Sequence, residues 1–229
     1  MVVLGIALLI LFVVVLPCVT MAIYNGEFGK RYEVREYAAY QIEDFPDLVL
    51  DRCEVVSNKG HKLAAYKYQR KDMIPKAVLV VVHGLCGSHR NYLDVCDYFA
   101  KQGFAIFTYD ATGNGESEGK KVGGFAQGLA DLDYVLAFVK NQTEYTNLPI
   151  LLMGHSWGGY CVASILKFHP DVKAVVHISG FDTTAGLLKQ YTKVHIGKAA
   201  VLLMPYISFY EKVSWGRYAG ESPGMDGIG

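Results

Sequence analysis

The chain opens on a run, residues 2–23, that holds no charged side chain and is dense in Val, Leu and Ile. As a helix rising ~1.5 Å per residue, such a run is long enough to cross a hydrocarbon core of about 30 Å. The pattern then changes. Residues 27–50 are mixed, charged and Tyr-rich, and read as a connector. From residue 51 a regular alternation begins. "CEVVS" and "KLAAYKYQ" flank the turn "NKG" at 58–60, a hairpin signal. "KAVLVVVHG" is a continuous Val-rich run of the kind shown by a strand buried on both faces. "NYLDVCDYFAKQG" carries Tyr92, Val95 and Phe99 at helical spacing and stops at Gly103. "FAIFTYD" predicts a second buried strand. "GFAQGLADLDYVLAFVK" places apolar residues at 129, 132, 136 and 139, one face of a helix. "PILLMG" is a strand, and "GGYCVASILKFH" a helix that begins in small residues. "VKAVVHISG" is a further strand, in which His177 is expected to be buried.

Strands and helices alternating at these intervals predict an α/β fold. Crossover units give a mostly parallel sheet with helices on both faces. The hairpin in front makes that sheet mixed. The chain divides into a transmembrane anchor or signal segment at 1–26, a connector at 27–50, an α/β core at 51–182 and a partial cap or lid region at 183–229.

Charge and composition narrow the picture. Lys+Arg and Asp+Glu stand at 22 each, and no basic run occurs, which argues against nucleic acid as a partner. The five cysteines (Cys18, Cys53, Cys86, Cys96 and Cys161) are odd in number and form no close C-x-x-C pair. They read as small buried thiols rather than a disulfide frame or zinc site, and no metal is expected. At the N-terminus no Lys or Arg precedes Lys30, and "LPCVTMAIY" offers no small-x-small cleavage site. These flanks favour an uncleaved single-pass anchor over a signal peptide. The side of the membrane stays open, because Lys30, Arg31 and Arg35 are interspersed with Glu27, Glu33 and Glu36.

Three segments fall at the carboxyl ends of predicted strands, where open α/β sheets bind ligands. The first is Gly154-His155-Ser156-Trp157-Gly158, a G-x-S-x-G between a buried strand and a small-residue helix. The serine of such a turn takes a strained conformation, and flanking glycines let strand and helix pass closely. The helix N-terminus also favours developing negative charge. Ser156 is therefore the candidate nucleophile. The second is "VVVHGLCGSHRNY", where a strand ends in His83-Gly84 and a loop enters the next helix. The third, "YDATGNGESEG", alternates glycines with short polar residues and reads as a tight structural loop that shapes a pocket wall.

These three segments, in this order, resemble the serine α/β-hydrolase superfamily, in its monoacylglycerol-lipase or lysophospholipase-like branch, also described as serine aminopeptidase-like. "HGLCGSHRNY" is similar to its HG-containing oxyanion loop, "DATGNGESEG" to its D-x-x-G-x-G-x-S loop with Asn114 where His is common, and "GHSWGG" to its G-H-S-x-G-G elbow. The resemblance covers roughly residues 50–182. It implies an α/β-hydrolase fold and hydrolysis of a lipid-like or small ester without a cofactor, through an acyl-enzyme on Ser156. The backbone N–H groups of Leu85 and Trp157 become the oxyanion donors. His83, Gly84, Gly154, His155 and Gly158 support the loop and the elbow.

The resemblance also implies a chain order of Ser, then Asp or Glu, then His. After Ser156 only 173–179 reads as a convincing strand. Asp182 follows that strand as a candidate acid without a histidine to orient. His61, His83 and His89 precede the nucleophile; His155 neighbours it; His169 is placed about 20 Å away at ~1.5 Å per residue along a helix. His195 remains as a candidate base lowered from a helical cap. The sharper expectation is that the last strands, with the acid and the histidine, lie beyond Gly229. The 229 residues alone would then have little turnover. The rival readings are a non-catalytic hydrolase-fold binding protein, and a peptidase, thioesterase or acyltransferase on the same serine. The uncharged stretch "AAVLLMPYISFY", 199–210, is expected to pack on the core as an ordinary helix, with an acyl tunnel or a membrane contact as its alternatives.

Overall fold

A computed structural model of the chain describes residues 2–34, 36–71, 73–195, 197 and 202–218. The N-terminal run forms one helix, Val2–Phe28, long and apolar enough to cross a membrane. It is built from α1 (Val2–Ile10), a π-helical turn (Leu11–Val15) and α2 (Leu16–Phe28). No residue of α1 is buried, whereas α2 buries Thr20 and Tyr24.

Six strands follow: β1 (Leu48–Val56), β2 (Lys62–Arg70), β3 (Ala77–Val82), β4 (Phe104–Tyr109), β5 (Ile150–His155) and β6 (Ala174–Ile178). They form one sheet in the order β1-β2-β4-β3-β5-β6. The pairs β1–β2 and β2–β4 are antiparallel, and β4–β3, β3–β5 and β5–β6 are parallel. Helix α3 (Leu93–Lys101) packs on one face, and α4 (Phe125–Lys140) and α5 (Trp157–Ser164) on the other.

The continuous apolar run of β3 follows from this sandwich. Successive side chains of a strand point to opposite faces. Val78, Val80 and Val82 join Leu129, Leu132 and Leu136 of α4 in one core cluster. Leu79 and Val81 join Leu93, Cys96 and Ala100 of α3 in the other. Full burial of each such large side chain is worth about 1.5–3 kcal/mol.

Several expectations shift. Helix α3 turns Leu93, Cys96 and Ala100 fully inward, while Tyr92, Val95 and Phe99 are only half-buried. Small residues at 96 and 100 let the helix lie close to the sheet, and the larger side chains flank the seam. The helix after Ser156 ends at Ser164 and continues as a 3₁₀ turn, Ile165–Lys167, so it is shorter than its apolar pattern suggested. His177 is exposed rather than buried, because β6 is an outer strand that pairs only with β5 among the described residues. The hairpin starts at Leu48, earlier than its Val-rich part, since Leu48 pairs with Arg70.

Helices α6 (Thr184–His195) and α7 (Met204–Trp215) follow β6. Helix α7 divides the expectation for 199–210: Ile207, Glu211 and Trp215 are buried, while Phe209 and Val213 are 69% exposed. Residues 196, 198–201 and 219–229 of the predicted cap region lie outside the described residues.

Candidate active site

The loops leaving β3, β4 and β5 meet at one end of the sheet. Ser156, between β5 and α5, holds φ 54° and ψ −115°. A non-glycine residue at positive φ is uncommon, and strain of this kind costs on the order of 1–3 kcal/mol. Backbone bonds on either side fix the turn: Ser156 N–H donates to the Ile178 carbonyl at 2.8 Å, and Tyr160 N–H to the Ser156 carbonyl at 3.1 Å. Glycine is required by close approach. A Cβ on Gly154 would overlap the Gly158 carbonyl, and one on Gly158 would overlap the Val82 carbonyl at the end of β3.

The His83-Gly84 loop lies against this turn. A Cβ on Gly84 would sit 3.4 Å from the Ser156 Cβ and 3.3 Å from the His155 carbonyl. His83 is fully buried and joins two loops. Its Nε2 accepts the Ala111 N–H at 2.9 Å, which places the ring proton on Nδ1, 2.7 Å from the Gly84 carbonyl. Burial lowers the His83 pKa, so the neutral ring that makes both bonds is the favoured form. The Tyr92 hydroxyl accepts the Gly84 N–H at 3.2 Å and lies 3.0 Å from His155 Nδ1. His155 thus turns toward Tyr92 and is exposed.

The N–H groups of Leu85 and Trp157, the candidate oxyanion donors, have no hydrogen-bond acceptor among the described residues. Trp157 is held rigidly from its side chain. Its indole N–H donates to the Phe125 carbonyl at 2.9 Å, and a Cβ on Gly128 beneath it would overlap the ring. Unpaired donors, Trp157 at the start of α5 and Leu85 in the loop after β3, suit an oxyanion that develops during reaction.

Asp110, at the end of β4, organises the third loop. Its Oδ1 accepts from His89 N–H at 2.8 Å and faces His89 Nδ1 at 3.0 Å; its Oδ2 accepts from Glu116 N–H at 2.9 Å. Burial alone would raise this carboxyl, but the bond and the attraction from His89 outweigh it and hold the pKa below the usual value. His89 is stacked on Tyr66 at 3.5 Å between ring centres. Arg31 clamps the same loop from the connector, donating to the carbonyls of Gly115, Ser117 and Gly119 at 2.7, 2.9 and 3.0 Å. Asn114, buried there, forms a β-bridge with Tyr32.

Two of these supports escaped the sequence pattern. Arg31 carries no local signal, since its partners lie more than 80 positions away. Asp131 had one: a carboxylate set inside the apolar stripe of α4. It is fully buried and accepts from Ser57 Oγ, Thr112 N–H, Thr112 Oγ1 and Gln127 Nε2. Desolvation raises its pKa, and these donors oppose that rise.

The remaining histidines lie elsewhere. His169 Nε2 pairs with Asp133 at 2.6 Å and its Nδ1 meets Lys140 Nζ at 2.8 Å. His61 belongs to the β1–β2 turn. His195 ends α6, and its side chain lies outside what is described. Asp182 is exposed.

The family model of the serine aminopeptidase S33 hydrolases matches residues 74–212. The chain belongs to that family. It is similar to the monoglyceride lipase of Mus musculus, 35% identical over 121 residues, which are 51% of this chain and 36% of that protein. The Homo sapiens monoglyceride lipase is 32% identical over 120 residues, 51% of this chain and 36% of that one. The chain thus spans about a third of the length of these curated relatives. Among solved structures, an esterase of Pyrococcus furiosus superposes with a TM-score of 0.62 at 17% identity, over 79% of this chain and 67% of the other. At that identity the superposition speaks to the α/β-hydrolase fold of this S33 chain.

Proposed function

We propose that the protein is a membrane-anchored serine hydrolase that cleaves lipid-like carboxylic esters through an acyl-enzyme on Ser156. The observation that carries this reading is the strained Ser156 at φ 54°, set between β5 and α5 beside the unpaired N–H groups of Leu85 and Trp157. In the reaction, Ser156 Oγ attacks the ester carbonyl carbon and its proton passes to a base. The carbonyl oxygen, now negative, accepts from Leu85 and Trp157. The bond to the alkoxy oxygen breaks and the alcohol leaves with the proton. Water then cleaves the acyl-serine and restores the hydroxyl. Each oxyanion donor is worth about 2.7–4 kcal/mol of transition-state stabilisation. The ester class is supported by the monoglyceride lipases to which the chain is similar. The anchor is supported by the apolar helix Val2–Phe28.

A non-catalytic binding role is the second reading, favoured by His83, His89 and His169 each being bonded to partners other than Ser156. Fluorophosphonate labelling decides between them. Labelling of the wild-type chain that Ser156→Ala abolishes supports the hydrolase. Labelling that survives the substitution refutes it, and so does absence of labelling at Ser156 in a chain that also carries the triad acid and histidine.

A further inference from the structure

The N-terminal helix carries an unusual joint at its centre. In the π-helical turn Leu11–Val15, the N–H of Leu16 is drawn back to the Leu11 carbonyl. The next position is Pro17, which has no N–H to give. The Phe12 carbonyl therefore loses both donors that a helix would offer it. It is satisfied from outside the helix: the Tyr206 hydroxyl, near the start of α7, donates to it at 2.9 Å. Farther along, the Tyr24 hydroxyl donates to Glu211 Oε1 at 2.7 Å, and the rings of Tyr24 and Tyr210 meet edge-on at 5.9 Å. Helix α7 is thus fastened to the apolar helix at two levels, Phe12 and Tyr24.

Those levels fix a depth. Tyr24, Asn25 and Glu27 close the uncharged run and mark its polar end. Phe12 lies twelve residues earlier, about 18 Å along the axis at ~1.5 Å per residue. That is more than half of a hydrocarbon core of about 30 Å. The Tyr206 hydroxyl shares this depth, and the first turn of α7 lies within a tyrosine side chain's reach of it. Its composition agrees: residues 199–210 hold no charge, and the first acidic residue, Glu211, sits at the Tyr24 level. Between the helices runs a groove of about 530 Å³, lined by Phe12, Val13, Pro17, Met21, Phe209 and Val213 among others. In hydrocarbon an unbonded carbonyl costs several kcal/mol, so the Tyr206 bond has a purpose there that water would make unnecessary.

We propose that the N-terminal half of α7 is immersed in the bilayer beside the anchor, with lipid acyl chains filling the groove and covering Phe209 and Val213. This rests on the anchor reading given under the proposed function, and does not depend on the chemistry of Ser156. The full chain then grips the membrane with two elements, and its catalytic domain is held against the surface rather than on a free tether.

Tryptophan quenching tests this with the full chain in phosphatidylcholine vesicles, with and without a lipid brominated along its acyl chains. Phe209→Trp, in a Trp215→Phe background, replaces one exposed aromatic by another, and the emission of the remaining buried Trp157, recorded in the Trp215→Phe chain alone, is subtracted. Ile74→Trp in the same background reports a site that is 94% exposed on the globular domain. The expected result is co-flotation with the vesicles, loss of most of the position-209 emission in brominated lipid, and unchanged emission at position 74. Co-flotation with position 209 unquenched, as a second copy covering α7 would give, overturns the proposal and leaves the anchor standing. Equal quenching at both positions also overturns it. Failure to float overturns the anchor and the proposal together, while fluorophosphonate labelling of Ser156 reports the hydrolase reading separately.

Discussion

Asp110→Asn is the sharpest test of whether the "DATGNGESEG" loop is a scaffold. The carboxylate accepts three hydrogen bonds in a site without solvent exposure, from His89 N–H, His89 Nδ1 and Glu116 N–H. An amide cannot reproduce them. With its oxygen toward His89, its NH₂ faces the Glu116 N–H; turned round, it faces both His89 donors. At least one buried N–H is left unpaired, which costs about 1–3 kcal/mol, and the surviving bonds lose their charge assistance, about 1 kcal/mol more. Release of the buried charge offsets part of this, so we expect a net loss of about 3 kcal/mol. For a chain of this length that is roughly 6–12 °C in Tm. Thermal unfolding followed by circular dichroism at neutral pH measures it, with Asp51→Asn as a control whose side chain is 72% exposed. The pH dependence supplies a second check. The folded carboxyl lies below its unfolded value. The advantage of the wild type is therefore full above about pH 4 and shrinks as pH falls through the folded pKa. A Tm within about 2 °C of the Asp51→Asn control would refute the scaffold role.

Other positions give shorter tests. Ser156→Gly relieves positive-φ strain that Ser156→Ala retains, so the glycine variant should be the more stable of the two by about 1 kcal/mol, read as a Tm difference of roughly 2–4 °C. Gly158→Ala drives a Cβ into the Val82 carbonyl and should cost about 1–3 kcal/mol together with Ser156 labelling. Gly26→Ala, with nothing within 4 Å, should change neither. His83 has a folded pKa below its unfolded value near 6.5. Its contribution is full above about pH 6.5 and lost as pH falls toward the folded value; Tm should drop between about pH 7 and 5, with a flatter slope in His83→Gln.

What the sequence disclosed and what it withheld divide along physical lines. The β3 run and the elbow were legible because each is a local pattern with one good structural solution: Val on both faces of a covered strand, and glycines where backbones touch. The exposure of His177 was not legible, because a strand pattern does not say whether a neighbour lies on each side. The buried face of α3 lies one position from its apolar spacing, since small Cys96 and Ala100 approach the sheet more closely than the larger Tyr92 and Phe99. Arg31 was invisible for a different reason. Its role is to saturate three carbonyls of a loop far along the chain, and carbonyls leave no mark in a sequence. Pro17 was in plain view, yet its consequence at Phe12 needed the partner hydroxyl of Tyr206 to be read.

The Tyr24 hydroxyl ties the N-terminal helix to α4 and α7. It donates to Glu211 of α7 at 2.7 Å and accepts the Phe125 N–H at the start of α4 at 3.3 Å. Gly124, at φ 114°, leaves room for that ring; a Cβ there would come within 2.7 Å of the hydroxyl. The Phe125 carbonyl in turn accepts the indole of Trp157, whose backbone N–H is a proposed oxyanion donor. Withdrawing the helix would strand a buried glutamate oxygen and the first N–H of α4 together. Each such orphan costs about 1–3 kcal/mol, a large part of the 5–15 kcal/mol that holds a typical domain folded. One residue, Phe125, therefore separates the tyrosine of the apolar helix from the tryptophan of the elbow. A shift of that helix reaches Ser156 through two hydrogen bonds rather than through a flexible connector.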